Sequence, residues 1–109
     1  MSAKRYLLGV DLGTSSTKAG LYSTDGVLVA DATVDVPIMY PKAGVVEQDM
    51  DDFYTSAAQA VNQVIQASGV DPHDVAAAAF SSQMAGVGFI DADFNPVGHF
   101  DSWLDTGHL

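Results

Sequence analysis

The stretch Asp11-Leu12-Gly13-Thr14-Ser15-Ser16-Thr17-Lys18 holds the most legible chemistry in the chain. A carboxylate stands near the end of an apolar run, and a glycine two residues on lets backbone approach a ligand. Hydroxyls, amides and then a lysine follow. Such an arrangement can cradle phosphate oxygens, while the carboxylate holds a hydrated magnesium ion. The glycine and lysine spacing is wrong for a Walker A loop. Taken alone, the same residues equally make a polar turn in a β-meander.

Few other groups compete for a role. His73, His99 and His108 have neither the spacing nor the company of a metal site and read as surface residues. There is no cysteine, which excludes a disulfide framework, a thiolate zinc site and a thiol nucleophile. Four Lys and Arg against fourteen Asp and Glu give a net charge of −10, and no Lys or Arg follows Lys42. That surface repels phosphate backbones and anionic lipid, so neither nucleic acid nor a membrane is expected as a partner. The longest apolar run, Val75 to Phe80, is far short of the roughly 20 residues of a spanning helix. Lys4-Arg5 before Tyr6-Leu7-Leu8 begins like a signal peptide, but Asp11 cuts the apolar stretch too early, and the expectation is a cytoplasmic protein. With 109 residues, 48% of them hydrophobic, the chain is one globular domain or part of one.

The elements that must position the turn follow from periodicity. Tyr6 to Leu12 reads as a buried strand, Gly13 to Ser16 as a tight turn, and Lys18 to Ser23 as a second strand. Asp25-Gly26 is a hairpin signal, and Val27 to Val36 alternates as a third strand. Pro37 and Pro41 end that pattern, so Ile38 to Gln48 is expected as an extended loop. Asp49 is a helix N-cap with Asp51 and Asp52 in the first turn, and Phe53, Ala57, Val61, Val64, Ile65 and Ser68 recur at helical spacing. The helix should run from Met50 to Ser68 and stop at Gly69. Val75 to Ser81 reads as a strand buried on both faces. Gly86 to Asp91 and Val97 to Phe100 read as two more, joined by a hairpin over Asp91 to Pro96. The order β-β-β-α-β-β-β predicts an α/β domain with a mixed sheet. One helix leaves an apolar face bare, which predicts a piece of a larger protein.

The Asp11 to Lys18 stretch resembles the first phosphate-binding motif of the actin-like ATPase superfamily. Three later stretches narrow the resemblance. Gly44-Val45-Val46-Glu47-Gln48-Asp49 before a helix is similar to the Gly-x-x-Glu-Gln-Asp segment of the FGGY carbohydrate kinases. Ser81-Ser82-Gln83-Met84-Ala85-Gly86, followed by Phe89-Ile90-Asp91, resembles their Ser-x-Gln-Met-His-Gly segment and the strand after it. Trp103-Leu104-Asp105-Thr106 resembles their Trp-x-Asp-Thr/Arg segment. Four motifs in order cover essentially the whole chain, which is identified as similar to the N-terminal portion of an FGGY, xylulokinase-like kinase.

The resemblance implies a ribonuclease H-like, actin-like ATPase fold that is incomplete here. Residues 1–109 would form the N-terminal part of the first, sugar-binding domain, with the rest of it and a second, ATP-binding domain lying elsewhere. It implies ATP and Mg2+, with Asp11 on the metal side and Gly13, Thr14, Ser15 and Lys18 on the phosphates. Gln83 and Met84 would face the sugar, Trp103 would lie against its carbon skeleton, and Asp105 would approach its hydroxyls or support that wall. The catalytic base would be an aspartate beyond position 109, so no catalytic base is expected in this chain and the chain alone should be inactive. The small-molecule partners would be ATP and a sugar or polyol, and a homodimer is one option for the intact protein. Ala85 stands where xylulokinase-like members have His, which argues against D-xylulose, and Gly107 stands where many members have Arg. Two other readings stay open: a non-catalytic nucleotide or sugar-binding protein of the same fold, and an inactive truncated product. Each residue also has a plainer reading, Met84 as core, Trp103 as packing, Asp105 as a cap, and Glu47 to Asp49 as a helix start.

Overall fold

The computed structural model describes residues 5–84 and 86–104. The described residues form two four-stranded sheets and one long helix. The first sheet starts with β1 (Tyr6–Leu12) and β2 (Ser16–Ser23), an antiparallel pair in continuous register from Tyr6↔Ser23 to Leu12↔Thr17. β3 (Leu28–Asp35) adds to β2, antiparallel, after the Asp25-Gly26 turn. The chain then makes a short hairpin of β4 (Met39–Lys42) and β5 (Val45–Gln48), followed by helix α1 (Met50–Ser68). A single 3₁₀ turn at Pro72–Asp74 leads into β6 (Val75–Ser82), which lies parallel to β1. The first sheet is therefore mixed, in the order β3-β2-β1-β6. A second hairpin, β7 (Val87–Ile90) and β8 (Pro96–Asp101), joins the first hairpin in an antiparallel sheet, β4-β5-β8-β7.

The core lies between α1 and the first sheet. Alternate residues of β1 and β2 point at the helix, so Val10, Ala19 and Leu21 meet Ala60 and Val64, all buried. A buried polar pair in that layer is matched: Thr17 and Ser56 hydroxyls hydrogen-bond at 2.7 Å, and Ser56 also donates to the Phe53 carbonyl. Asp49 caps α1 by accepting from the Asp51 N–H, and Gly69 ends it in the left-handed conformation. Phe53 leaves this core and meets Phe100 of β8 edge to face, with ring centres 5.0 Å apart, tying the helix to the second sheet.

Two expectations fail. Residues 38–48 form the β4-β5 hairpin instead of an extended loop, because Gly44, at φ 80°, turns the chain where a side chain would be strained. Pro41 is tolerated because β4 is an edge strand. β6 is not buried on both faces: it is the edge of its sheet, and every residue after Val75 is exposed, Phe80 at 66%. Its continuous apolar character has nothing among the described residues to cover it. That open apolar surface is what a single helix predicts for a layered domain.

Candidate functional site

Where parallel strands end, the loops that follow leave a crevice outside the sheet. β1 and β6 are the parallel pair here, and the sequence motifs converge at their carboxyl ends. Asp11 stands exposed beside Ser81, its register partner on β6, and the Ser81 Oγ donates to Asp11 Oδ1 at 3.0 Å. Lys18 is the partner of Asp11 on the other side, across the antiparallel ladder. Asp11 is exposed, and among the described residues its carboxylate takes part in no ion pair.

The turn itself is tight. A Cβ on Gly13 would stand 2.7 Å from the Ser16 carbonyl oxygen, so the chain folds back on itself only where no side chain intervenes. Ser15 holds the turn against the end of β3 by accepting the Val36 N–H through its carbonyl. Thr14 is held from two directions, by Trp103 Nε1 donating to Thr14 Oγ1 at 2.8 Å and by Gln48 Nε2 donating to the Thr14 carbonyl at 2.8 Å.

Gln83 follows β6 directly, and its N–H donates to the Leu12 carbonyl at 3.0 Å, so it sits beside the root of the turn. Its side-chain Nε2 donates to Gln48 Oε1 at 3.0 Å. Met84, next in the chain, is 81% exposed. The structure thus brings together Asp11, Gly13, Thr14, Ser15, Gln83 and Trp103, with Lys18 directly across the ladder from Asp11. Asp105 and Ala85 lie outside the described residues, as do Gly107 and His108.

Sequence reading missed two residues here. In the sequence Ser81 and Gln48 stand out only as members of motifs, Gln48 also as part of a helix start, with no role of their own. Gln48 is fully buried, on the inner side of β5, and its hydrogen bonds reach across to the other sheet. The available signal was a glutamine at an inward-facing position of a short strand. The histidines behave as expected: Asp71 caps the 3₁₀ turn by accepting the His73 N–H at 2.9 Å, and His99 lies 3.3 Å from Glu47 across the β5-β8 pair. Among the described residues no three His, Asp or Glu side chains gather as a metal cage.

Residues 6–107 match the family model described as the FGGY family of carbohydrate kinases, N-terminal domain. A probable L-xylulose kinase of Haemophilus influenzae is 34% identical over 93 residues, which are 85% of this chain and 19% of that protein. A glycerol kinase of Xanthobacter autotrophicus is 35% identical over 78 residues, 72% of this chain and 16% of that protein. The crystal structure of gluconate kinase from Lactobacillus acidophilus superposes with a TM-score of 0.84 at 28% identity, over 92% of this chain and 20% of that one. The chain thus spans about a fifth of the length of the relatives it matches. Their fold is the actin-like ATPase fold expected from the first phosphate motif. By its matched residues and by its architecture, this chain belongs to the FGGY family of carbohydrate kinases and represents the N-terminal domain of that family.

Proposed function

We propose that the full-length protein carrying this domain transfers the γ-phosphate of ATP to a hydroxyl of a sugar or polyol. In this reading residues 1–109 are the N-terminal part of the first, sugar-binding domain, and the second, ATP-binding domain lies outside the chain. The observation that carries it is the convergence of the exposed Asp11 carboxylate, the tight Gly13 turn, and Gln83 and Trp103, each bonded to that turn or its root, at the carboxyl ends of β1 and β6. Phosphoryl transfer depends on positioning and on electrostatic stabilisation, and this corner supplies both.

The donor set fits magnesium in particular. Mg2+ keeps most of its water and is held by one or two carboxylates, which matches a single exposed Asp11 backed by a hydroxyl. Asp11 would hold it, and when bound it supplies the positive charge that neutralises the phosphate oxygens. The chain's own residues do the rest of the positioning. Gly13, Thr14 and Ser15 offer backbone N–H groups to the terminal phosphates, and Gly13 leaves no side chain in the way. Lys18 adds a cation directly across the ladder from Asp11. Ser81 keeps one Asp11 oxygen hydrogen-bonded and so fixes the direction of the other. Gln83 and Met84 face the sugar, and Trp103 offers its ring to the carbon skeleton. The base that takes the substrate hydroxyl proton is an aspartate beyond Leu109.

The substrate class follows from the same corner: polar amide and hydroxyl groups beside one indole suit a polyhydroxylated chain. The similar proteins are named for a ketopentose, a triol and a sugar acid, all members of that class. The test is an ATP-coupled assay of the full-length protein over xylulose, glycerol and gluconate. ATP consumption that depends on at least one of them is expected. Saturable binding of a panel member with no ATP consumed would instead establish a non-catalytic binding protein.

A further inference from the structure

The Thr14, Gln48 and Gln83 hydrogen bonds have a direction that their chemistry fixes. Gln48 Nε2 lies 2.8 Å from the Thr14 carbonyl and 3.4 Å from the Pro37 carbonyl. Neither carbonyl can donate, so the Gln48 amide nitrogen must face them and its Oε1 must face the other way. Gln48 Oε1 can only accept, so Gln83 must present Nε2 to it, at 3.0 Å. One atom is then left over. Gln83 Oε1 is buried, and no donor within the structure reaches it. Reversing the Gln83 amide would set two carbonyl oxygens against each other, so the vacancy cannot be moved by a flip. A buried acceptor without a donor is costly in a folded protein and calls for a partner.

We infer that Gln48 is a positioning residue, which holds the Gln83 amide so that its carbonyl oxygen accepts a hydrogen bond from a hydroxyl of the sugar or polyol. This rests on the kinase reading above and deepens it. Gln48 is fully buried and sits between the phosphate turn and the sugar-side residue, so one side chain sets the geometry of both. The Gln83 oxygen is buried and lacks a donor, and a hydroxyl docked beside the exposed Met84 would supply one. A site built around a hydroxyl rejects analogues that lack it more strongly than an apolar wall can, because the acceptor is then left unpaired. Trp103 holds Thr14 from the opposite side, which fixes the carbonyl where the relay begins.

A double-mutant cycle on the full-length protein tests this, with the panel member turned over fastest as the probe. Gln48→Met and Gln83→Met keep the side-chain volume and remove the amides. Each is expected to raise the KM for that sugar or polyol about tenfold, the worth of one good hydrogen bond. The double variant should also stand about tenfold above the parent, because a broken relay cannot be broken twice. Effects that multiply to about a hundredfold would overturn the relay. So would a Gln48→Met variant whose kcat and both KM values change together with a lowered Tm, the mark of a merely structural residue. If Gln48→Met does not fold, Gln83→Met decides alone: an unchanged sugar KM overturns the assignment, and a raised one with the ATP KM unmoved supports it. Parent protein that turns over no panel member removes the kinase reading itself and the relay with it, an outcome distinct from multiplicative variants of an active enzyme.

Discussion

The 2.7 Å approach that a Gly13 Cβ would make to the Ser16 carbonyl leaves the turn no room for alanine. Gly13→Ala should open the turn and displace the Thr14 and Ser15 amides, raising the KM for ATP about tenfold or more for a strain of 1–3 kcal/mol. Steady-state kinetics on the full-length protein would show it, with an unchanged ATP KM counting against the phosphate assignment. Trp103 separates two contributions. Trp103→Phe keeps a ring but loses the 2.8 Å bond to Thr14, which should cost about 1 kcal/mol of ligand binding. Trp103→Ala removes the ring as well and should weaken sugar binding more than nucleotide binding, as calorimetry with each ligand can read. The phosphate turn was legible in sequence because its carboxylate, glycine and hydroxyls are neighbours along the chain. Gln48 and Ser81 were not. Their roles come from partners 34, 35 and 70 positions away, and no local pattern records that meeting.

Among the elements, α1 was the easiest to read, since its cap, its stripe and its stop are all local. Asp49→Ala should cost about 1 kcal/mol of stability by freeing the Asp51 N–H, measured by denaturant unfolding of the full-length protein. The β4-β5 hairpin was illegible because two prolines and a short strand length mask the Ala43-Gly44 turn. The β7-β8 hairpin was legible through Asp91, which accepts from the Asp93 and Asn95 N–H groups at 2.9 and 3.0 Å. The Asn95 N–H in particular holds the Asp91 carboxyl below the usual carboxylate range. A lowered folded-state pKa means that its contribution is fully present above the ordinary carboxylate pKa and is lost as pH falls through the folded value. The Asn95 amide resonance should therefore shift on acidification with a midpoint below that of a free aspartate. A midpoint at the free value would show that the turn does not depend on the carboxylate.

At the scale of the molecule, the Cα radius of gyration of 16.4 Å exceeds the ~13 Å of a self-contained domain this size. The excess reflects an elongated body, 55 × 29 × 20 Å, with β6 and much of the second sheet open. Phe80, Phe89, Ile90 and Phe94 are all more than half exposed. Residues 1–109 alone should bind a hydrophobic dye and aggregate, whereas the full-length protein should not bind the dye. Layer order and family were legible at this scale because four motifs keep their sequence. Burial was not, because a strand written for two covered faces looks the same in sequence whether or not its cover is present. The central claim concerns Asp11, the carboxylate that joins the phosphate turn to the parallel strand ends. The most direct test replaces Asp11 with alanine in the full-length protein, measuring kcat and sugar affinity together. A kcat lower by about a hundredfold or more, with sugar binding intact, is the expected result for lost charge stabilisation at the phosphates. A kcat within a few-fold of the parent, or an equal loss of turnover and sugar binding, would contradict it.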